Sequence, residues 1–431
     1  INLTANTGIG NVAVGDVTIT AGKGGAFDSF SMNVAASAGA VGTVTLGNET
    51  LSGAVSRSID VTGNSIGAVT LGDISVSAGA AVTALRYADF TADTTSIGDV
   101  SIGDVTVAGT AGGSADVSDD FSAATTVGAI SAGDITLTAS GAGGDAYYSL
   151  SATAGTSGGS ITAGDISLSA TASTVNAAAG AIADLTLQSG KGAVTVGDVT
   201  VAGSAAGTGA TPASASIAFS LNAATAVTVG DITVSGGGAD NLATLTSWMS
   251  ATAGTTTTVG NVDYSGYTAA ATIDVSALLG AGEIIASSGG STITDNMTKN
   301  IITLGAGADT VNLDANDATT ALMPLDTSDA TAIDEIIGFT SGVDTLDIET
   351  TSGNTTFSFV SSPAADYAAF LAAAEAAMTN FDTDIYAREV DGDIYLAIDD
   401  DNATATGAKD IEFVVKLSGI TSLDSGDVTI S

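Results

Sequence analysis

Residues 131–144 read SAGDITLTASGAGG, and close copies of this stretch recur through the first two thirds of the chain. A Gly-Asp step is followed by a short run in which apolar residues alternate with Ser or Thr, and then by a glycine-rich gap. Alternation with a period of two predicts a β-strand with one buried face, so Ile135 and Leu137 should point inward and Thr136 and Thr138 outward. The stretch therefore predicts one strand and one corner of a repeated β unit.

The Gly-Asp or Gly-Asn steps return with a period of about 30 residues, which is within the range of repeat architectures. They begin at Gly15, Gly47, Gly72, Gly98, Gly103, Gly133, Gly164, Gly197, Gly230 and Gly260. Only the stretch IGDVSIGDV departs from this spacing, because it carries two steps in close succession. Two further alternating runs lie in each period, and one of them carries the larger residues, as in AYYSLSAT. Three strands per period predict the coils of a parallel β-solenoid, whose equivalent residues stack about 4.8 Å apart.

The repetition also gives the corner a structural role. We expect glycine to allow a tight corner with a positive φ angle, and the neighbouring Asp to accept hydrogen bonds from the amides of its turn. Equivalent Asp side chains would then form a row that is either solvated or bridged by cations. An antiparallel β-sandwich also has short strands and glycine-rich turns, but it needs no repeated corner. We therefore predict a β-solenoid over residues 1–265.

The charge balance excludes several classes of function. The 431 residues include 47 Asp plus Glu against 8 Lys plus Arg, a formal net charge of −39, so neither nucleic acid nor an anionic membrane surface is an expected partner. Cysteine and histidine are absent, which excludes disulfides, thiol catalysis and Ser-His catalytic pairs. No run of about 18 apolar residues predicts membrane insertion. The cations Lys23, Arg57, Arg86 and Lys191 show no common repeat position within residues 1–265.

The repeat fades from residue 266, and we interpret residues 266–299 as transition coils before a separate region at 300–431. One helix is predicted over residues 363–381, with Pro363 in its first turn. Its apolar face follows the i, i+3, i+4 spacing of an amphipathic helix. This face comprises Tyr367, Phe370, Leu371, Ala374, Met378 and Phe381. We expect the helix to pack on a sheet.

The stretch NIITLGAGADTVNL, residues 300–313, carries the sharpest motif of the chain. It is similar to one copy of GGxGxDxUx, where U is apolar, the glycine-rich nonapeptide of repeats-in-toxin (RTX) proteins, with Leu304 in place of the first glycine. The matching residues are Gly305, Gly307, Asp309 and Val311. A second partial copy is IIGFTSGVDTLDI at 336–348. Its matching residues are Gly342, Asp344 and Leu346.

The resemblance extends over residues 300–431. The sequence from DEIIGFTSGVDTLDI to the final predicted strands resembles the C-terminal region of type I secreted RTX proteins. It implies a β-roll whose turns bind Ca²⁺ through Gly carbonyls and Asp side chains. The residues concerned are Gly305, Gly307, Asp309, Gly342 and Asp344. It also implies export through an uncleaved C-terminal signal, which we place at about residues 411–431, and folding outside the cell on meeting Ca²⁺.

A second group of oxygen-bearing side chains lies in the run DDDNATATGAKD, residues 399–410. Ca²⁺ takes six to eight hard oxygen ligands, which carboxylates supply. Asp399, Asp400 and Asp401 are therefore further candidate ligands, although the run lacks the spacing of an EF-hand loop. The alternative is a solvated acidic loop.

Taken together, the acidic Ala-, Gly-, Thr- and Ser-rich composition and the RTX-like C-terminal region resemble type I secreted bacterial surface-layer (S-layer) proteins. This resemblance implies a mainly β fold, with a long parallel β-solenoid followed by a calcium-binding RTX-like β-roll region with one α-helix. It implies a non-enzymatic structural subunit that assembles with itself, outside the cell and at its surface. A cell-surface polysaccharide is a further candidate partner.

Three other functions stay open at this point. The protein could be a subunit of a filament or matrix fibre formed by end-to-end stacking of solenoids, an adhesin, or a secreted solenoid enzyme acting on carbohydrate. The enzyme is disfavoured because sugar clefts commonly carry exposed aromatic residues. Trp248 is the only tryptophan of the chain, and we expect it in the core.

Overall fold

The computed structural model describes residues 1–21, 28–172, 181–205, 215–238, 256–276, 278, 282–295, 299–314, 330, 333–349, 356–378, 385–398, 411, 413–424 and 426–430. The fold is mainly β, with 62% strand, a β-solenoid of about 10 turns and a single helix among the described residues. This confirms the predicted solenoid and its one helix. The described part of the chain contains no helix with the length and hydropathy needed to cross a membrane.

The chain divides into two compact units. The first comprises Ile1–Ile232, Gly236–Leu242 and Ser247–Thr258, and the second comprises Thr233–Ser235, Ala243–Thr246 and Val259–Ser431.

Three parallel sheets form the first unit, and each coil contributes one strand to each sheet. The long-strand sheet contains β1 (Asn2–Ala5), β4 (Asp28–Ala36), β7 (Val55–Gly63), β10 (Thr83–Ala92), β14 (Ser114–Ala123), β18 (Asp145–Ala154), β22 (Ala181–Ser189) and β25 (Ala215–Ala223). The short-strand sheet contains β2 (Val12–Val14), β5 (Val44–Leu46), β8 (Val69–Leu71), β12 (Val100–Ile102), β16 (Ile130–Ala132), β20 (Ile161–Thr162), β23 (Val194–Thr195) and β26 (Ala226–Val229).

The third sheet begins directly after the Gly-Asp steps and is called the Gly-Asp sheet. It contains β3 (Val17–Thr20), β6 (Glu49–Ser52), β9 (Ile74–Ala78), β13 (Val105–Thr110), β17 (Ile135–Ser140), β21 (Ile166–Ala172) and β24 (Val199–Ala205). Three short strands, β11 (Ser96–Ile97), β15 (Thr126–Val127) and β19 (Ser157–Gly158), form a small extra sheet. The next strands along the chain are β27 (Ile232–Gly238) and β28 (Thr256–Val259).

Parallel pairing in a constant register turns the alternating sequence into continuous apolar columns. Ile74, Val105, Ile135 and Ile166 are successive register partners, and each is 0–1% exposed. Complete burial of a side chain of this size contributes about 1.5–3 kcal/mol relative to exposure. The columns therefore supply the core that each coil lacks when it is isolated.

The local doubling of the repeat arises because one coil has a Gly-Asp step at two corners. Gly103 and Asp104 precede β13 in the Gly-Asp sheet, whereas Gly98 and Asp99 precede β12 in the short-strand sheet. The two steps are close in sequence because only the short strand β12 lies between their corners. The doubling therefore does not change the number of coils.

In the second unit the described residues give each parallel coil two strands. One row of strands is β29 (Val262–Tyr267), β31 (Glu283–Ile285), β33 (Ile301–Thr303), β35 (Asp334–Ile337) and β40 (Phe413–Ser418), and the other is β30 (Ala271–Asp274), β32 (Ser291–Thr294), β34 (Thr310–Asp314), β36 (Thr345–Glu349) and β41 (Val428–Ile430). Equivalent positions of the coil with β31 and β32 and of the next coil, with β33 and β34, are separated by 18 residues in the chain. Ile284 pairs with Ile302 and Ile293 pairs with Val311, and the hydrogen-bonded Ser291 and Asp309 have the same separation.

Beyond β40 the first of these rows continues with a hairpin and one more strand. Its order is β40, β39 (Asp393–Ile398), β38 (Ile385–Val390) and β37 (Phe357–Val360), and the pairings of β39 with β40 and with β38 are antiparallel. The helix α1 (Tyr367–Met378) packs Phe370, Ala374 and Met378 into a cluster with Tyr386 of this sheet. The predicted packing of the helix on a sheet is thus confirmed.

The helix begins at Tyr367, one turn later than Pro363, the residue predicted to lie in its first turn. The side chain of Asp366 accepts a hydrogen bond from the amide of Ala369 at 2.8 Å, which is the interaction of a helix N-cap. Asp366 therefore fixes the start, because its carboxylate satisfies an amide that the first turn leaves without an intrahelical acceptor.

Candidate functional site

The corners before the Gly-Asp sheet link each coil of the first unit to the next. The amide of each corner Asp or Asn donates to Oδ1 of the corner residue of the preceding coil at 2.9–3.1 Å. The row consists of Asp16, Asn48, Asp73, Asp104, Asp134, Asp165, Asp198 and Asp231. The corner Asp thus serves the amide of the neighbouring coil rather than its own turn. The side chains of the row stay exposed.

The corner glycines are required by this contact and not by the positive φ angle that we expected. None of the described corner glycines from Gly15 to Gly230 has a positive φ. An added Cβ at Gly133 would lie 2.2 Å from Oδ1 of Asp104, which is far inside van der Waals contact. The expectation about φ was wrong because the constraint lies between coils and not within the turn.

A second row of carboxylates lies on the outward face of the long-strand sheet. Asp60 is the register partner of Asp89, which in turn is the partner of Asp120. The row is bounded by Asn33 and Ser151 in the adjacent coils. Burial raises the pKa of Asp120, and the charge of Asp89 raises it further. The sequence analysis missed this row, because the three residues are not next to a Gly-Asp step.

The interior of the first unit holds an ionic cluster that consists of Glu49, Arg57, Arg86 and Asp119. Each of the four is at most 2% exposed. Glu49 lies 2.5 Å from Nη2 of Arg57 and accepts a hydrogen bond from Nε of Arg86 at 2.7 Å, and Nη1 of Arg86 contacts Asp119. The guanidinium of Arg57 also lies 5.1 Å from the centre of the Phe30 ring. Two positive and two negative groups therefore balance inside the coils.

Arg57 and Arg86 are direct register partners, so the expectation that the cations share no repeat position was wrong for these two of the four, and Lys23 lies outside the described residues. Burial acts to lower the pKa of Arg86, but the carboxylates of Asp119 and Glu49 outweigh burial and raise it. Burial lowers the pKa of Arg57, and the charge and hydrogen bond of Glu49 offset only part of this decrease. The cluster is closed from solvent and links successive coils, so it offers no route to a large ligand.

In the second unit, Asp309 and Asp344 occupy the same turn of adjacent coils. Each is at most 2% exposed. Asp309 accepts hydrogen bonds from the amides of Ser291 at 2.6 Å and Gly305 at 3.0 Å. Asp344 accepts them from the amides of Asp309 at 2.9 Å and Thr340 at 2.7 Å. Each carboxylate thus joins its own turn to the preceding coil, and burial, with the charge of Asp344, raises the pKa of Asp309.

The predicted glycines of this region lie where two turns approach closely or reverse sharply. An added Cβ at Gly305 would lie 2.0 Å from the carbonyl oxygen of Ser287, and one at Gly307 would lie 2.2 Å from the amide nitrogen of Gly290. Gly342 has a φ of 77°, which residues with a side chain rarely adopt. The structure therefore gives all three glycines a backbone role beside the buried carboxylates.

Asp427 extends the same arrangement, and the sequence analysis missed it. This side chain is 1% exposed and accepts hydrogen bonds from the hydroxyl of Ser341 at 2.6 Å, the amide of Gly342 at 2.7 Å and the amide of Asp424 at 2.6 Å. It could have been found, because SGDVTIS at residues 425–431 repeats the Gly-Asp phrase of the first unit.

The donor groups at these turns are carboxylates and main-chain carbonyls, the hard oxygens that Ca²⁺ prefers. Among the described residues no three acidic side chains converge as a group that could hold a metal ion. Asp399, Asp400 and Asp401 lie outside the described residues, as does Trp248.

No protein-family model and no curated protein matches the chain. The function therefore has to be inferred from the corners, rows and turns described above.

Proposed function

We propose that the protein is a structural subunit of a calcium-dependent bacterial surface layer, located outside the cell. The observation that carries the proposal is the chain separation of 18 between equivalent positions of one pair of adjacent coils, the coil of β31 and β32 and the coil of β33 and β34. This length is twice that of the RTX nonapeptide, and Asp309 and Asp344 lie at one turn of adjacent coils. This geometry supports an RTX-like β-roll, and with it calcium-linked folding and type I export.

The candidate calcium ligands fall into two groups. Each oxygen of the Asp309 and Asp344 carboxylates accepts one amide hydrogen bond, and a carboxylate offers about four acceptor positions in all. Carbonyls of Gly305, Gly307 and Gly342 lie in the same turns and would supply further oxygens. Asp399, Asp400 and Asp401 are the second group. When Ca²⁺ is bound, it would neutralise the buried carboxylate of Asp309, whose pKa burial raises.

A structural role also fits the chemistry of the first unit. Its interior charges are closed from solvent, and its exposed corner row and half-buried outward row of acidic residues repeat along successive coils. A repeated surface suits repeated contacts with other copies of the chain or with a cell-surface polysaccharide through bridging cations. The chain contains no histidine or cysteine for a nucleophile–base pair and only 8 Lys plus Arg, so we predict no hydrolase or lyase activity on peptides or acidic polysaccharides.

Electron microscopy of the purified protein with and without Ca²⁺ tests this function. We expect ordered two-dimensional arrays in Ca²⁺ and dispersed subunits after chelation. Particles that stay dispersed at all Ca²⁺ concentrations would contradict the proposal, and so would arrays that persist after chelation.

A filament subunit is the second candidate, because the parallel coils of the first unit join through corner contacts that repeat from coil to coil. Contacts of the same kind between copies stacked end to end would build a fibre.

Electron microscopy of the same samples tells the two assemblies apart. Fibres with the width of one subunit would support the filament, and two-dimensional arrays without fibres would contradict it.

A further inference from the structure

Three polar side chains are buried together in the second unit, away from the turns that contain Asp309 and Asp344. Asp334 and Asn300 are both 0% exposed, and Asp295 is 4% exposed. Asn300 directly precedes β33, Asp334 begins β35, and Asp295 directly follows β32. Neither the repeat nor the nonapeptide motif accounts for them.

Asp295 lies where the pattern of the coil calls for an apolar residue. It follows the paired residues Thr294 and Asn312, and its amide donates to the carbonyl of Asn312 at 3.1 Å. It therefore falls in the column of Val275 and Leu313, which are 0% and 2% exposed. A carboxylate inside such a column costs free energy unless its charge is compensated.

The three side chains are connected by short hydrogen bonds. The amide of Asn300 donates to Oδ1 of Asp334 at 2.7 Å, and Nδ2 of Asn300 donates to Oδ1 of Asp295 at 2.6 Å. Oδ2 of Asp334 is buried and has no hydrogen-bond partner among the described residues. A buried carboxylate oxygen in this state calls for a counterpart, which can be a proton, a water molecule or a cation.

The electrostatics of the pair point in the same direction. Burial raises the pKa of Asp334, and the charge of Asp295 and a hydrogen bond between the two side chains raise it further. The amide of Asn300 and the charge of Lys299 oppose this shift without cancelling it. Two carboxylates that interact inside a protein cannot both stay ionised without a cation or a proton between them.

We propose that Asp295, Asn300 and Asp334 bind one divalent cation of the size of Ca²⁺ inside the second unit. Two carboxylates match its charge, whereas a shared proton would leave one negative charge buried. The carboxamide of Asn300 can turn its oxygen toward the ion, since the nitrogen and oxygen of an amide exchange places by a simple flip. Main-chain carbonyls and water would complete a shell of six to eight oxygens.

This ion would act as a structural staple. It would hold the end of β32 to the starts of β33 and β35, which belong to three different coils. The inference does not depend on the surface-layer function, because such an ion would bind the isolated monomer.

Calorimetric titration of the chelator-treated full-length protein with CaCl₂ tests the site, with Asp334→Asn as the main variant and Asp295→Asn as the second. We expect each variant to bind one Ca²⁺ fewer than the wild type, or to bind it at least about tenfold more weakly. The difference in melting temperature between Asp334→Asn and the wild type should have opposite signs in chelator and in Ca²⁺. In chelator Asp334→Asn should melt above the wild type because the repulsion is gone, and in Ca²⁺ it should melt below it.

Asp274→Asn is the matched control, because this half-buried carboxylate accepts its hydrogen bonds from Ser276 in its own turn and its register partner is Thr294. It should keep the wild-type stoichiometry. Unchanged stoichiometry in both test variants would overturn the site, and a higher melting temperature in chelator would then identify a shared proton. Asp309→Ala plus Asp344→Ala should keep this ion, so its loss is separable from loss of the RTX-like sites.

Discussion

At the scale of single residues, the corner glycines allow neighbouring coils to be linked because they have no side chain. The amide of Asp134 donates to Oδ1 of Asp104, and that oxygen occupies the space where a Cβ on Gly133 would stand. The sequence predicted the glycine and the Asp as a pair. It could not reveal that they act on different coils, because adjacent positions in sequence also suggest a local turn.

Replacing Gly133 by Ala should destabilise the first unit by about 1–2 kcal/mol. The new Cβ would displace the carboxylate of Asp104 and break its hydrogen bond to the amide of Asp134, and one such bond contributes about 1 kcal/mol. Chemical denaturation followed by circular dichroism measures the change.

Gly15→Ala is the matched control, because nothing lies within 4 Å of its added Cβ. Its stability should equal that of the wild type or exceed it slightly, since alanine restricts the unfolded chain. The cost of Gly133→Ala should also shrink in the presence of Asp104→Ala, which removes the clashing group. Fully additive effects of the two substitutions would exclude the contact as the cause.

The buried ionic cluster gives a second prediction at this scale. Glu49→Leu should destabilise the first unit by about 3–5 kcal/mol, because it leaves the stacked guanidinium groups of Arg57 and Arg86 with Asp119 as their one acidic partner in the cluster. Thermal unfolding measures the loss.

The double variant Glu49→Leu plus Arg57→Leu keeps the Arg86–Asp119 pair and removes one charge of each sign. It should be more stable than Glu49→Leu alone, since apolar replacement of a complete buried pair is often neutral. A double variant that is less stable than the single one would show that Arg57 contributes through packing on Phe30 rather than through charge.

At the scale of the elements, the strands were predictable and the loops between them were not. Arg57 follows Gly47 by ten positions and Arg86 follows Gly72 by fourteen, although the structure places them side by side. The glycine-rich gap before the long strand varies in length, so counting from the corners misaligned the two arginines. The alternation of buried residues fixed the strands themselves, because each coil repeats the same columns.

The buried polar residues of the second unit escaped the sequence analysis for another reason. The partial nonapeptides identified Asp309 and Asp344, whose neighbours in sequence are the expected glycines. Asp295 and Asp334 are far apart in sequence and have no such neighbours, and only the stacking of three coils brings them together. A periodic pattern predicts contacts that repeat, and this contact occurs once.

The outward row on the long-strand sheet gives a pH dependence at this scale. Burial and the charge of Asp89 raise the pKa of Asp120 above its ordinary value of 3.8. The folded protein therefore binds more protons than the unfolded chain as pH rises above 3.8, and the free energy of unfolding falls across that window. Asp120→Asn should stabilise the protein at pH 7 by at most about 1 kcal/mol, given partial solvent screening, and should change nothing at pH 3.

Asp134→Asn is the control for this prediction. A carboxamide already occupies the same corner position at Asn48, where its Oδ1 accepts the amide of Asp73 at 3.0 Å. Asp134→Asn should therefore leave the stability near that of the wild type. Urea unfolding at pH 3, 5 and 7 measures both variants, and equal gains for the two at pH 7 would show that general reduction of charge is responsible.

At the scale of the whole molecule, the net charge of −39 makes copies of the chain repel one another at neutral pH. Monovalent salt reduces this repulsion only by screening, with a Debye length of about 8 Å at physiological ionic strength. A divalent cation can instead bridge oxygens of two turns or of two subunits. Assembly should therefore respond to the kind of cation and not only to ionic strength.

Chelation at moderate ionic strength should consequently disperse the assembly and loosen residues 300–431. Added Ca²⁺ should restore both, whereas NaCl at equal ionic strength should restore neither. Light scattering measures the assembly, and hydrogen exchange measures the loosening. In Asp309→Ala plus Asp344→Ala, we expect fewer bound Ca²⁺ ions and no arrays, because the stacked turns that hold these carboxylates would lose both their ligands and their links between coils. Wild-type Ca²⁺ stoichiometry together with intact arrays in this variant would remove Asp309 and Asp344 from the set of calcium ligands.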